Sequence, residues 1–306
     1  MQTNEEETMN HRFDTPGAVR LRVDNASGEI RLLSHDEPVT EVEVTGLSAE
    51  AEELVERTRA EHRPHGERHE VVVEVPRRRG LLSMQSAPVA VVVRLPSGSD
   101  VVLAGASAEI ELSGQFGSGE VRSGSGEIRA DRFAGPLYLK TASGSVRIEE
   151  VGGALDAAAA SGDLEVGRLG DRASVRIASG DVRIRRAEAP VEAHAASGDV
   201  IVDLALEGLS AVTASGDVRA ACVRAGRVEA RTASGDVTVG VARGARVRVD
   251  ATSMSGSMES EIPLGESVDP TGADAGGDQG PLVEVHVRTA SGDVRLVRAA
   301  TEAVEP

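Results

Sequence analysis

Aromatic side chains are almost missing from this chain of 306 residues, which has three Phe, one Tyr and no Trp. Ordinary globular cores draw much of their buried area from large rings, so the scarcity points to an interior too narrow to hold them. Cysteine is nearly absent too. The single Cys222 excludes an internal disulfide framework and any multi-cysteine metal site. Basic residues are outnumbered, leaving a formal charge of −17, and Lys140 is the only lysine among 33 bases. That balance argues against nucleic acid as a partner, because phosphate binding needs a basic face that releases counterions. No run approaches the roughly 18 apolar residues of a membrane span. Met1–His11 holds Glu5, Glu6 and Glu7 and no apolar stretch, so it does not read as a signal peptide. The expectation is a soluble cytoplasmic protein without a direct membrane span.

What the chain does have is a beat. Thr-Ala-Ser-Gly-Asp-Val, or a close variant, places serines at 107, 125, 143, 161, 179, 197 and 215, each 18 residues after the last. The beat loosens at Ser234, Ser255 and Ser291, and an isolated copy stands at Ser27. The motif residues are Ser125-Gly126, Ser143-Gly144, Ser161-Gly162-Asp163, Ser179-Gly180-Asp181, Ser197-Gly198-Asp199, Ser215-Gly216-Asp217, Ser234-Gly235-Asp236 and Ser291-Gly292-Asp293. Self-similarity at a fixed short period marks a solenoid, in which each unit is stable only against its neighbours.

Parity defines the unit. The sixth, fourth and second residues before each serine are small or apolar (Val191, Ala193, Ala195), as are the third and fifth after it (Val200, Val202), with polar residues between. Period two means strands with one face inward. Positions −2 and +3 are five apart, so no continuous strand can bury both, and the chain must turn at Ser-Gly. Each unit is therefore two short strands, a Ser-Gly corner and a looser bend. Stacked in parallel at about 4.8 Å per rung, eight rungs would form a rod on the order of 40 Å long. The predicted fold is an all-β parallel solenoid with a β-rich N-terminal cap carrying one short helix. Its divisions are a disordered leader (1–11), the cap (12–100, helix near 48–62), the repeat (101–298, with an acidic loop at 259–281 and Leu282–Arg298 as last rung), and a disordered tail (299–306).

The column of Asp163, Asp181, Asp199, Asp217, Asp236 and Asp293 invites a calcium reading. Calcium β-rolls, however, need a Gly-Asp segment in every half turn, and here one occurs per 18 residues. Arg129, Arg147, Arg183, Arg219 and Arg295 lie two residues beyond the acid on the same outward face, and paired acid and arginine columns are the expectation. His62, His65 and His69 are interrupted by Pro64 and Gly66, which reads as a solvated loop and not a metal site. The Arg77-Arg78-Arg79 loop beside Leu81, Leu82 and Met84 reads as solvated. The serines are not nucleophiles, since a nucleophile occurs once and Gly-x-Ser-x-Gly at a strand-to-helix elbow is absent. Cys222 reads as a packed thiol near inward positions. No catalytic residue, metal or cofactor is expected.

Phe13-Asp14-Thr15-Pro16-Gly17, Asn25-Ala26-Ser27-Gly28-Glu29-Ile30, the Val-x-Leu-Pro-Ser-Gly segment at Val93–Gly98 and the Ser-Gly-Asp-Val ladder together resemble the bacterial β-strand-repeat "putative adhesin" domain family, over residues 12–298. The resemblance implies a β-solenoid with no assigned catalytic residues. The functional expectation is a non-enzymatic interaction scaffold with an unidentified protein partner. The alternatives are a β-helix carbohydrate-active enzyme or a calcium-binding repeat protein.

Overall fold

In this computed structural model, residues 8–66, 68–77, 87–262 and 280–299 are described. They form two compact units, 1–162 and 163–306. Each is a parallel β-solenoid built on the predicted alternation.

In the first unit, strands β1 (Thr8–Asp14), β2 (Val19–His35) and β3 (Val39–Gly46) precede a single helical segment, which is followed by β4 (Arg59–His65), β5 (Arg68–Glu74), β6 (Val89–Pro96) and β7 (Asp100–Phe116). The long β2 runs parallel to β7, with Leu21 beside Val101, Ser27 beside Ser107 and Ile30 beside Ile110. The isolated Ser27 copy is thus a full rung, and rungs begin at Val19, not at residue 101. On its other edge β2 pairs in parallel with β5 and β6. β6 is followed by β3 and then β1, both antiparallel, and β5 by β4, also antiparallel. Thr8–Asp14, placed in or beside the leader by its acidic surroundings, is a strand because β3 supplies it with a ladder from Thr45 to Val39.

β6 and β7 are consecutive in sequence yet lie on opposite sides of β2. The step between them, Ser97-Gly98-Ser99, must span two strand spacings, roughly 10 Å. Ser99 is wholly buried there; its Oγ donates to the Pro96 carbonyl (2.6 Å) and accepts from the Val19 N–H (2.9 Å). Ser97 donates its N–H to the His35 carbonyl (2.7 Å). The Pro-Ser-Gly segment is the strap that lets β2 sit between its sequence-remote neighbours.

The helix is shorter than expected. A 3-10 turn at Ala49–Ala51 runs into Glu52–Glu56, burying Ala51, Leu54 and Val55. Thr58 ends it by returning its hydroxyl to the Leu54 carbonyl (2.7 Å) and its N–H to that of Val55. The histidine stretch that follows is a hairpin of β4 and β5, not a loop. Beyond β7 the rungs follow chain order through Gly119–Ser123, Ile128–Phe133, Leu137–Thr141, Val146–Val151 and Leu155–Ser161. Phe116 and Phe133 are both buried, ring centroids 5.8 Å apart. Room is made by Gly119, where a Cβ would lie 2.5 Å from the Phe133 ring.

In the second unit, Leu164–Leu169, Val182–Ala187, Val200–Ala205, Val218–Val223 and Val237–Val241 stack as one column of strands, in register except for a shift between Ala220 and Val223 in the last pair. Ala173–Ser179, Val191–Ser197, Leu209–Ser215 and Gly226–Ser234 form the other. The order then departs from the sequence. Leu282–Ser291 lies between Gly226–Ser234 and Arg246–Ser255, and Val294–Arg298 between Val237–Val241 and Met258–Ser260. The outermost rung is therefore 246–260, and Leu282–Arg298 is the one beneath it. Inward composition accounts for the exchange. Val283, Val285, Val287, Thr289, Val294 and Leu296 are buried, whereas the corresponding residues outside are Val247, Val249, Ala251, Ser253, Met258 and Ser260. The less apolar rung takes the open seat, where less apolar area is removed from water. Met258–Ser260 is also a strand within the stretch expected to be an acidic loop; residues 263–279 of that loop lie outside the described residues, as do Arg78, Arg79, Leu81, Leu82, Met84 and the tail after Ala299.

The core is made of the predicted inward columns and one more. Val151, Leu169, Ala187, Ala205 and Val223, eight residues after a motif serine, are also buried. Each stands three residues after the last inward position of its strand (Val202 to Ala205, Ala220 to Val223), an odd step, so this column falls out of the alternation within the stretch read as a loose bend.

Candidate functional site

The repeated beat of Thr, Ser, Gly and Asp sits at the corner between the two strand columns, and its Thr, Gly and Asp each have a main-chain reason to be there. Gly198 has φ +132°, and a Cβ on it would meet the carbonyl oxygen of Gly180 at 2.0 Å. Turning with that φ takes two main-chain groups out of the parallel ladder: the glycine carbonyl and the N–H of the residue after it. Side chains from neighbouring rungs replace the lost partners. The carbonyls of Gly198, Gly216 and Gly235 accept from the hydroxyls of Thr213, Thr232 and Thr289 (3.3, 3.1 and 3.4 Å). The aspartates form a staircase: Oδ1 of Asp163, Asp181, Asp199, Asp217 and Asp236 accepts the N–H of the next rung's Asp at 2.8–2.9 Å, and Asp293 accepts that of Ser257. From Ser143 onward the motif serines themselves are exposed.

The expected Asp–Arg pairing is replaced by this staircase. In the Glu127 copy, where the longer acid stands in, Arg129 does bond Glu127 (2.5 Å) and also Glu109 (2.6 Å). Arg183 reaches Asp203 instead (3.1 Å) and Arg295 reaches Glu259 (3.2 Å). Asp293 has its pKa lowered, first by the Ser257 backbone N–H.

Ion pairs do link rungs elsewhere on the outward face. Arg185 pairs with Glu165 (2.5 Å) and Arg168 with Glu188 (2.9 Å), while Arg186 holds Glu188 from its own rung (3.1 Å). Hydrogen bonding from Arg168 is the main cause that holds the Glu188 carboxyl below its ordinary pKa. Six arginines, at 168, 172, 176, 183, 185 and 186, fall within these two rungs of an otherwise acidic chain.

The remaining candidates resolve one by one. His62 Nε2 and His69 Nδ1 lie 2.8 Å apart with stacked rings, and Phe13 tilts against His62. Among the described residues no group of three His, Cys, Asp or Glu is placed to hold a metal ion. A surface depression beside this pair is lined by Arg20, Arg68, His69, Glu70 and Asp100, with acids and bases intermixed. The Asp100 carboxylate in it is engaged by the N–H and hydroxyl of Ser118 (2.7 and 2.6 Å). Arg77 reaches Asp24 at 3.5 Å. Cys222 is half-buried on the outward side of its strand, and burial pushes its thiol pKa up, away from thiolate reactivity. The sequence gives no warning of one last feature, the outer rung 246–260. Met254 and Met258 are 84% and 59% exposed there, and among the described residues Arg246–Ser255 has a single strand partner.

These elements define a parallel β-solenoid protein whose repeated motif is a hydrogen-bonding corner. The chain matches the Toastrack DUF4097 family over residues 64–208 and 200–297, and it belongs to that family. The resemblance to "putative adhesin" domains drawn from the repeat agrees with this. Similar solved structures include a "putative adhesin" of Bacteroides fragilis, 11% identical over 95% of this chain and 97% of that one, TM-score 0.43. A "putative lipid binding protein" of Parabacteroides distasonis is 18% identical over 76% and 94%, TM-score 0.48. No curated protein matches the chain. No helix among the described residues is long and apolar enough to cross a membrane.

Proposed function

We propose that the chain is a non-enzymatic scaffold whose outward solenoid face is read by a protein partner. The observation that supports this reading is the set of rung-to-rung ion pairs on strands Leu164–Leu169, Val182–Ala187 and Val200–Ala205. Arg185–Glu165, Arg168–Glu188 and Arg183–Asp203 each join residues 20 apart, which lie on adjacent rungs. Long arginine side chains normally lose rotamer freedom when a partner docks. Here the rungs fix them beforehand, at a strand spacing of about 4.8 Å. Such pairs add little stability at the surface, about 0–1 kcal/mol each, so their value lies in presenting charge at set intervals. Fixed charge patterns select partners and speed encounter more than they add affinity.

The experiment is affinity capture with the folded protein and with an Arg183→Ser/Arg185→Ser/Arg186→Ser variant of unchanged circular dichroism. A partner held by the first and released by the second is the expected result. Equal capture by both would remove this face from the reading. Turnover of a glycan panel at catalytic rates would favour the enzyme alternative instead. The calcium alternative has a separate test: with each Asp Oδ1 already accepting an N–H, calcium should produce no binding heat and no change in melting temperature.

A further inference from the structure

The geometry points to a second copy of this chain as the occupant of the open edge of the outermost rung, docked antiparallel about Val249. This inference is independent of the face proposed above. Arg246 donates its N–H to the Pro281 carbonyl, toward the rung beneath. Along a strand these groups alternate in direction, so the N–H and C=O of Val247, Val249 and Ala251 face the open side. An unpaired strand edge is a template for pairing with another chain. The identical edge of a second copy can meet it through a two-fold axis, which makes the contact self-complementary.

Charge selects the register. With Val249 opposite the other copy's Val249, Val247 falls opposite Ala251 and the open main-chain groups of these three residues meet as hydrogen-bonded pairs. The outward residues Arg248 and Asp250 then face each other's counterpart twice, once on either side of the axis. Both project into solvent, with side chains 73% and 66% exposed. Slipping the pairing by one dyad in either direction sets Asp250 against Asp250 or Arg248 against Arg248, and like charges directly opposite disfavour a pair. The neighbouring groups, Glu284 beside Arg248 (3.1 Å) and His286 beside Asp250 (3.6 Å), lie on the rung beneath, and among the described residues no strand pairs with the open side.

The test is the mass in solution, by sedimentation equilibrium on the full chain over a concentration series. The expected result is twice 31.7 kDa, reversing to one copy in Arg248→Asp and restored in the swap Arg248→Asp/Asp250→Arg. A wild-type protein that stays at one copy, a dimer indifferent to Arg248→Asp, or a swap that fails to reassociate each overturns the proposal. Val249→Pro guards against a folding artefact, because the one main-chain donor that it removes faces the open side; it should give one copy with an unchanged circular dichroism spectrum. Hydrogen exchange separates the rival occupants. Protected Val247–Ala251 amides in a one-copy protein would mean that the chain's own segment 263–279 covers the edge, and an open series of masses would mean head-to-tail stacking. Both outcomes count against the two-fold pair.

Discussion

Gly198 and Asp199 show how much of one motif is decided by main-chain hydrogen bonds. Replacing Gly198 with Ala asks for a side chain at φ +132° and 2.0 Å from a backbone oxygen. The expected loss is on the order of 3 kcal/mol, read as a lower denaturation midpoint. Asp199→Ala strips the acceptor from the Asp217 N–H (2.8 Å) and should cost about 1 kcal/mol at this partly solvated site. Asp199→Asn keeps an Oδ1 acceptor and should cost less than the alanine. Equal losses for both would mean that charge, and not the hydrogen bond, is what matters. The corner itself was legible, because an odd spacing between inward residues leaves no other way to bury both. The task of the aspartate was not, because its partner is a backbone N–H one rung away, and a backbone donor leaves no mark in the sequence. The arginine two residues on, visible in the Asp181, Asp217 and Asp293 copies, was the misleading candidate.

At the level of strands, alternation carried the reading wherever it was strict. Val200 is fully buried in register with Val182 and Val218. Val200→Trp should therefore overpack the interior and destabilise by about 1–3 kcal/mol or more. The buried column of Val151, Leu169, Ala187, Ala205 and Val223 escaped the same reasoning, since each stands three residues after the last inward position, an odd step that breaks the period of two. The exchanged terminal rungs escaped it for a different reason. Rungs that share one motif can stack in any order, and only differences in their inward residues choose among the orders. Ser234, Ser291 and Ser255 lie in register on successive strands. In a Cys222→Ser background, Ser234→Cys/Ser291→Cys should oxidise to a disulfide. Ser234→Cys/Ser255→Cys should not, being two strand spacings or roughly 10 Å apart, beyond disulfide reach. The reverse result would restore the order of the sequence.

For the molecule as a whole, the acidic composition makes pH the natural variable. The carboxyls of Glu188 and Asp293 are held below their ordinary pKa by Arg168 and by the Ser257 N–H respectively. A carboxyl whose folded pKa is depressed contributes stability above its unfolded value, roughly 4. That contribution is lost as pH falls through the lower folded value. The melting temperature should hold steady from about pH 7 to 5 and fall on further acidification, less steeply in a Glu188→Gln/Asp293→Asn double variant. An identical slope in the variant would show that other carboxylates govern acid unfolding. At this scale the sequence identified the architecture because the repeat is long and its inward residues are nearly uniform. It did not locate the outer rung, whose identity rests on Leu282–Ser291 out-competing Arg246–Ser255 for a buried seat.

That exchanged seat has a consequence for a chain emerging from the ribosome. Arg246–Ser260 is synthesised before Leu282–Arg298, at a time when the edge of Gly226–Ser234 stands vacant. The early segment carries its own Ser-Gly and is free to occupy that edge, placing Ser255 over Ser234. It must then give way when the more apolar segment arrives. At the other end the sequence of events is reversed: Val19–His35 is made first and waits for Arg68–Pro96 and Asp100–Phe116 to close around it. Birth order and stacking order thus disagree at both ends of the protein, and a chain cut short before Leu282 would be expected to settle with the wrong neighbour in place.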